Sequence, residues 1–277
     1  MPDAITPPSF APTASHCQLS DLPQSETSQG DLSRLVEELE NHRVYQNPYF
    51  ELLRHSKWTK DTYELHRANF FYRTELTVKT IAHVCARSAE QEDQRTLILF
   101  SYILNEECGN GDLNLCHAVL MERAHNLFGQ AVFGLDPLLV TESKNSPLII
   151  EGTDRYRKRM SELCSSSYQR MLGVTMALES HAEKMLGHCR TAFRAYAERF
   201  ERSVFVNQIE VYFNNHLNEG VEQRHADDAR NCVIRNCRSP EDFAEIAYGA
   251  REALEVQLVM WQQLYNKTVE IGSRYDA

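Results

Sequence analysis

Hydrophobic side chains recur every three or four residues over most of the chain beyond residue 30, and this spacing predicts α-helices. Asp31 is a predicted N-cap and is followed by Leu32 and Leu39 on one helix face. Thr59 is a second predicted N-cap, and the helix after it is expected to run to about Ala86. Strand-type alternation never extends beyond a few residues. The pattern therefore predicts an all-α protein, folded as one bundle of roughly seven to nine helices.

The second half of the chain is interrupted less often. Residues 130–155 contain several Gly and Pro residues and are predicted to form a long connection. No proline occurs between residues 155 and 236, which favours two or three long helices. Two of these are predicted over 193–200 and from Val204 to about Arg235. Ser239 is expected to cap the last helix, because Pro240 follows it at the first helical position.

The first 30 residues differ from the rest in composition. They hold five of the nine prolines and little periodic apolar content. Residues 1–30 are therefore predicted to be a flexible tail, and residues 31–270 to form the folded domain.

Composition and charge exclude several classes of protein. The 42% hydrophobic and 25% charged residues are typical of a globular domain. A net charge of −10 without a basic run argues against nucleic-acid binding. No apolar run approaches the roughly 18 residues of a membrane span. Because the N-terminus also lacks the pattern of a secretory signal, a cytoplasmic protein is expected.

A polar stretch with two glycines interrupts the helical pattern near residue 110. Glu107 and His117 lie ten residues apart, or roughly 80° away from a shared face on an ideal helix. Gly109 and Gly111 loosen the intervening turn, so both side chains could still point inward. The alternative is a helix junction with a buried, hydrogen-bonded histidine.

A second acid lies on an apolar stripe. Glu179 shares a helix face with Leu172 and Met176, where a carboxylate is costly unless it is paired or binds a metal. Glu183, one turn further on, is the alternative ligand, and His181 is expected on another face. A glutamate that reaches solvent from the helix edge would also explain the pattern.

A third place combines acid and imidazole groups. Glu222 and His225 are three residues apart and therefore adjacent on a helix face, a common arrangement for binding iron in helical bundles. A charged, solvated helix face is the alternative.

His216 belongs to the same stretch but has the wrong register. It lies nine residues before His225, about 180° away on a straight helix, whereas Asn218 would share the face of His225. Either His216 is not a ligand, or a bulge or kink at Gly220 brings it round. Glu219 is an alternative carboxylate.

Together these places supply three carboxylates and three histidines without a cysteine. Such a donor set favours an iron or manganese pair over structural zinc. The predicted metal ligands are Glu107, His117, Glu179, His216, Glu222 and His225. The other histidines are interpreted as surface or satisfied core residues.

The sequence resembles the haem-oxygenase-like di-iron oxidases and oxygenases, a family of iron-containing redox enzymes. The motifs that carry the resemblance are Glu107-x-Gly109-x-Gly111-x5-His117, the later Glu179, Tyr212-Phe213-x2-His216 and Glu222-x2-His225. The family usually spaces its closing ligands as His-x3-Asp/Glu-x2-His, so the interval from His216 to Glu222 is two residues longer here.

The resemblance implies a haem-oxygenase-like bundle of about seven core helices that holds two Fe(II) ions. With O2 as co-substrate, these would form a peroxo-level oxidant for N-oxygenation, desaturation or C–C cleavage. The implied substrate is a small amino-acid-like or aliphatic molecule of specialised metabolism. Some members recruit an extra glutamate, for which Glu75 is the nearest candidate. An external electron donor and a homodimer stay open.

Two other classes of function are compatible with a helical bundle. One is a metal-free enzyme of the same fold, either a thiaminase-type hydrolase or a cofactor-maturation enzyme. The other is a non-catalytic helical interaction protein. The sequence does not select a substrate, although Arg73, Arg170 and Arg224 are candidate partners for a carboxylate.

Overall fold

The computed structural model describes residues 26–218 and 220–273, and no strand occurs within these ranges. The all-α prediction is confirmed. Between these limits the helices are α1 (Glu26–Glu40), α2 (Pro48–His55), α3 (Lys60–Thr74), α4 (Leu76–Glu90), α5 (Gln94–Glu107), α6 (His117–Phe133), α7 (Glu151–Cys164), α8 (Tyr168–Arg194), α9 (Arg202–Val204), α10 (Val211–Leu217), α11 (Val221–Asn236) and α12 (Pro240–Gly272). Within the described ranges, none of these helices combines the length and apolar character needed to cross a membrane.

Helix α8 lies at the centre of the bundle. It packs against α12 and α11 along much of its length, and against α2, α7 and α10 at shorter contacts. Its buried face includes Met171, Leu172, Met176 and Phe193. Because α8 is surrounded on several sides, a polar side chain in its middle is withdrawn from bulk water.

Two glycines allow α8 and α12 to cross in backbone contact. A Cβ atom on Gly173 would overlap the carbonyl oxygen of Ile246, and one on Gly249 would overlap that of Arg170. The two helices therefore contribute one glycine each to the same crossing. This contact fixes the separation of the two longest helices in the described structure.

The prediction that Asp31 caps the first helix is wrong. Helix α1 already begins at Glu26, five residues earlier. Asp31 lies inside the helix, where its carboxylate accepts a hydrogen bond of 2.9 Å from Arg34 instead of capping the backbone. Most of the predicted tail, residues 1–25, lies outside the described residues.

The helix predicted from Thr59 to Ala86 is divided at Glu75. Thr59 does cap α3, through a reciprocal capping box with Thr62. Arg157 of α7 then donates to the carbonyl oxygen of Tyr72, and this carbonyl would otherwise accept from the next helical turn. The division therefore coincides with a long-range contact, at a place where the local pattern continues.

The long helices predicted after residue 190 are also wrong in part. Helix α8 continues to Arg194, and the 193–200 stretch ends in a short 3₁₀ turn. The chain from Arg202 to Leu217 is helical but contains a π-helical segment at Phe205–Glu210. The helix then stops before α11. Ser239 and Pro240 begin α12 as predicted.

Two of the remaining histidines belong to the core, as interpreted from the sequence. His66 is hydrogen-bonded to the Tyr49 hydroxyl at 2.8 Å, and burial lowers its pKa to about 3. His125 stacks on Phe70 and His66, and burial also lowers its pKa far below the usual value. Both are neutral aromatic core residues at physiological pH.

Replacing the crossing glycines should destabilise the bundle. We expect Gly173→Ala or Gly249→Ala to lower the free energy of unfolding by about 1–3 kcal/mol or more, because the new methyl group overlaps a backbone carbonyl. Gly187→Ala is the matched control in α8, since its Cβ would meet open space. It should be neutral or stabilising by up to about 1 kcal/mol in chemical denaturation. Equal changes in the free energy of unfolding for Gly173→Ala and Gly187→Ala would contradict the close crossing of α8 and α12.

Candidate metal centre

The first two predicted ligands lie at the two ends of one loop. Glu107 is the last residue of α5, and His117 is the first residue of α6. The Oε1 atom of Glu107 lies 3.2 Å from Nδ1 of His117, and both residues are buried. The angular offset calculated for a continuous helix does not apply, because the helix is interrupted between them.

The intervening loop folds back on itself. Gly109, Asn110 and Gly111 have successive positive φ angles of 71°, 53° and 89°. A Cβ atom on Gly109 would lie 2.5 Å from the backbone nitrogen of Cys116. Glycine at position 109 therefore permits both the left-handed backbone and the close return that brings α6 beside the end of α5.

The third predicted ligand comes from the central helix. Glu179 lies in the middle of α8, on the stripe that includes the buried Leu172 and Met176. Its side chain is only 11% exposed and lines the same cavity as Glu107 and His117.

The last three predicted ligands flank a break between two helices. His216 lies in the last turn of α10, and Glu222 lies in the first turn of α11. Gly220 adopts the left-handed conformation at φ 66° between them. As a result, His216 Nδ1 and Glu222 Oε1 are 2.6 Å apart. His225 follows one turn after Glu222 and is also buried.

The break between α10 and α11 explains how His216 and His225 reach the same cluster although a straight helix would separate them. A straight helix would have placed Asn218 on the face of His225 and His216 on the opposite face. Instead, Asn218 is exposed and has an extended backbone, so it does not join the cluster. The alternative that required a kink at Gly220 agrees with the structure. Glu219 lies outside the described residues.

The six predicted ligands therefore come together in two adjacent groups of three. Glu107, His117 and His216 form the first group, and Glu179, Glu222 and His225 form the second; in each, the possible ligand atoms lie within 4.8 Å of one another. The groups touch where His216 contacts Glu222. Within the second group, Nδ1 of His225 is 3.9 Å from Glu179 and 4.0 Å from Glu222.

The charges in this cluster are not balanced. Burial, together with the negative charges of Glu222 and Glu107, raises the pKa of Glu179 well above its usual value. Burial also raises the pKa of Glu107, but contact with His117 and the charges of His216 and His225 outweigh it, and the pKa ends lower than usual. Ionisation of Glu179 is therefore disfavoured next to the other two carboxylates.

The residues present fit a pair of divalent metal ions. Nδ1 of His117 is buried and makes no aligned hydrogen bond, although Oε1 of Glu107 lies 3.2 Å away, so a nitrogen and an oxygen atom face each other as a cation would require. Two cations would also relieve the repulsion that keeps a proton on Glu179. Oxygen and nitrogen donors without thiolates suit iron or manganese.

The sequence reasoning missed one carboxylate at the centre. Oε2 of Glu106 lies 2.7 Å from Nε2 of His225, on the side of the ring opposite the Nδ1 atom that faces Glu179 and Glu222. Its position beside Glu107 in the sequence concealed it, because consecutive residues of a helix do not share a face. Only the contact of Glu106 with His225 of α11 distinguishes Glu106 from Glu107 in this respect.

Several other candidates lie elsewhere. Glu75 is held by Arg157 at 2.6 Å and by Lys79, outside both groups. Glu183 is exposed, so it does not serve as the alternative to Glu179. As expected, His181 lies on another face of α8, where it packs against Phe50.

A cavity adjoins the cluster. Its volume is about 90 Å³, well above the space one water needs. Besides Glu107, Glu179, His117, His216 and Glu222, the lining includes Arg73, Thr74, Ile81, Met121, Tyr156, Leu178, Met185 and Tyr212. The cluster is therefore reached through a mainly apolar space.

Comparison with known proteins identifies the family of this chain. A sequence profile of the family described as iron-containing redox enzymes matches residues 68–258, more than half of the chain. The chain belongs to this family. Membership of the iron-containing redox enzymes confirms the family resemblance drawn from the motifs. No functionally curated protein matches the sequence significantly.

Solved structures show the same fold. A CADD-like protein of unknown function from Nostoc punctiforme PCC 73102 has been solved twice. The first structure superposes with a TM-score of 0.66 at 18% identity, and the match covers 86% of this chain and 99% of its own. The second superposes with a TM-score of 0.64 at 16% identity, and the match covers 87% of this chain and 96% of its own. A Shewanella denitrificans OS217 domain of unknown function with a heme oxygenase-like fold superposes at 0.57 and 14% identity, covering 92% of this chain and 97% of its own. At these identities the likeness shows the fold alone.

Neutralising Glu179 should stabilise the metal-free protein. In the folded state its carboxyl keeps a proton that the unfolded chain releases near the usual pKa of about 4.5. The free energy of unfolding of the wild type therefore falls as pH rises above that value. The Glu179→Gln variant has no ionisable group at this position and lacks this loss. We expect the melting temperature of Glu179→Gln to exceed that of wild type by a margin that widens from pH 5 to pH 8. A margin independent of pH would contradict the assignment.

Proposed function

We propose that this iron-containing redox enzyme is a non-haem di-iron, O2-dependent oxidase or oxygenase acting on a small amino-acid-like or aliphatic substrate. The observation that carries the proposal is the pair of adjacent three-residue groups. Each group offers both carboxylate oxygen and imidazole nitrogen atoms as ligands. The mainly apolar cavity beside them supports a small-molecule substrate.

The two groups divide the ligand roles. Glu107, His117 and His216 would hold one iron, and Glu179, Glu222 and His225 would hold the other. When bound, a ferrous pair supplies electrons for the reduction of O2 and thereby the oxidising power to attack an amine nitrogen or an aliphatic C–H bond.

The chain's own residues prepare the site in distinct ways. Glu222 touches His216 of the other group, so its carboxylate is placed to interact with both groups. Glu179 holds a proton at its carboxyl in the metal-free protein and must release it to become a ligand. Met121 and Met185 contribute apolar surface to the cavity beside the cluster.

Iron binding is the direct test of the proposal. We expect anaerobic titration with Fe(II) to load about two ions per chain, because each group offers three donors. Glu107→Ala and His225→Ala should each lose at least about one ion or weaken binding tenfold or more. Admission of O2 to the loaded wild type should produce a transient visible absorption band.

The control for these variants is Glu183→Ala, which removes an exposed glutamate from the same helix as Glu179. It should bind iron like the wild type. Fewer than about one iron per wild-type chain, or unchanged loading in both ligand variants, would refute the di-iron proposal and favour a metal-free enzyme or an interaction protein.

Glu106 has a positioning role in this proposal. Its contact with Nε2 of His225 leaves Nδ1 directed towards Glu179 and Glu222. A carboxylate on the second ring nitrogen fixes the tautomer and orientation of a metal-binding histidine and increases its basicity. Glu106 is thus expected to act on the metal through His225 rather than as a ligand.

Removing this carboxylate should weaken the second group without abolishing it. We expect Glu106→Gln to reduce the affinity of the weaker-bound iron by about 10–100-fold, while two ions still bind at high Fe(II) concentration. Isothermal titration under anaerobic conditions measures this, with Glu183→Gln as the control. Loss of one ion at saturation would instead make Glu106 a ligand, and unchanged affinity would remove it from the site.

A further inference from the structure

An arginine lies in the wall of the cavity without an acidic partner. Arg73, near the end of α3, is only 7% exposed. Its Nη2 atom donates to Oε1 of Gln257 at 2.8 Å, and its guanidinium lies over the rings of Tyr156 and Trp261 at 5.4 and 5.7 Å. Throughout residues 26–218 and 220–273, no carboxylate forms an ion pair with Arg73.

A buried guanidinium without a counter-ion is unusual. An arginine remains charged at any physiological pH, and an unpaired charge loses much of its hydration on burial. The aromatic rings of Tyr156 and Trp261 offset part of this cost, and Gln257 provides one neutral acceptor. The positive charge of Arg73 that these groups leave without a counter-ion would favour a bound anion.

Unused hydrogen-bonding groups lie at the same place. The Nε atom of Arg73 is buried without a partner, and so is Oγ1 of the neighbouring Thr74. Both residues line the cavity. The next residue, Glu75, does not neutralise them, because its carboxylate pairs with Arg157 and Lys79.

Arg73 and the metal centre lie on different parts of the cavity wall. None of the six predicted ligands is paired with Arg73. Tyr212 also lines the cavity, and its ring packs against that of His216 at 5.1 Å. Apolar side chains such as Ile81 and Met185 complete the lining. The cavity therefore has one cationic part, one acidic metal-binding part and apolar walls.

We propose that Arg73 determines substrate specificity by binding the carboxylate of an amphipathic monocarboxylic acid. The carboxylate pairs with the guanidinium of Arg73 and accepts a hydrogen bond from Thr74. The rest of the molecule extends along the apolar wall and presents a carbon or nitrogen atom, not the carboxylate, to the metal centre. This inference rests on the proposed function for the reaction, but the carboxylate site itself exists without metal.

Charge matching favours a single carboxylate. Arg73 is the one arginine or lysine among the described residues lining the cavity. A doubly charged phosphate would leave excess negative charge close to Glu107, Glu179 and Glu222. In the metal-free protein the ionised carboxylates of the cluster would repel a substrate carboxylate from the metal-binding part of the cavity.

The test uses simple probes and the full-length, metal-free protein. Hexanoate is compared with 1-hexanol and hexanamide, which have the same chain length without the charge. Binding is followed by isothermal titration and by tryptophan fluorescence, to which Trp261 beside Arg73 contributes together with Trp58. We expect hexanoate to bind at least about tenfold more tightly than either neutral probe, because only the carboxylate forms a charge-assisted pair.

Three variants identify the residue. Arg73→Met should weaken hexanoate binding at least about tenfold and leave hexanol binding within about twofold. Arg73→Lys keeps the charge but loses the planar fork, so it should bind hexanoate with intermediate affinity and guards against misfolding of the first variant. Arg170→Met is the matched control, because Arg170 is a half-buried arginine paired with Glu245 outside the cavity.

The outcomes separate this inference from the di-iron proposal. Equal binding of hexanoate and hexanol, or full hexanoate affinity in Arg73→Met, overturns the role of Arg73. Hexanoate binding that requires Fe(II) also overturns it and places the carboxylate on the metals. Charge-selective, Arg73-dependent binding in a protein that fails to load iron supports the carboxylate site while rejecting the di-iron function.

Discussion

Repulsion among buried carboxylates is the constraint on which the rest of the structure depends. Glu107, Glu179 and Glu222 converge with three histidines in a space where burial and mutual charge keep Glu179 from ionising. Such an arrangement persists only when the surrounding fold is stable enough to impose it. The backbone contact between α8 and α12 provides part of that stability, since it fixes the helix that carries Glu179 against the longest helix described.

Helix ends, rather than continuous helices, deliver most of the cluster. Glu107 and His117 stand at the two ends of a tight loop, and His216 and Glu222 stand on the two sides of a break. A helix end can direct its side chains independently of the next helix, so two groups of donors can form without a single long register. Only Glu179 is supplied from the middle of a helix, and that helix is the one enclosed by neighbours on several sides.

The sequence sufficed for the fold class and for the caps at Thr59 and Ser239, because apolar periodicity and capping chemistry are local. It did not suffice where one element acts on another. The break at Glu75 coincides with a hydrogen bond from Arg157 of α7 to the Tyr72 carbonyl, and no pattern within that helix predicts this contact. Periodicity alone could not decide between His216 and Asn218, because the answer depended on the left-handed backbone of Gly220. Glu106 was hidden because only contact with α11 separates it from its neighbour.

The break between α3 and α4 has a consequence for how the protein can change over evolutionary time. Arg157 contacts this break from outside the cavity, whereas the cluster is built by α5, α6, α8, α10 and α11. The wall that carries Arg73 and Thr74 is thus structurally separate from the six clustered residues. Substitutions around Arg157 could tilt α4 and reshape the space offered to a small molecule while every clustered residue stays in place. Substrate selectivity and metal chemistry would then change independently of each other within one helical bundle.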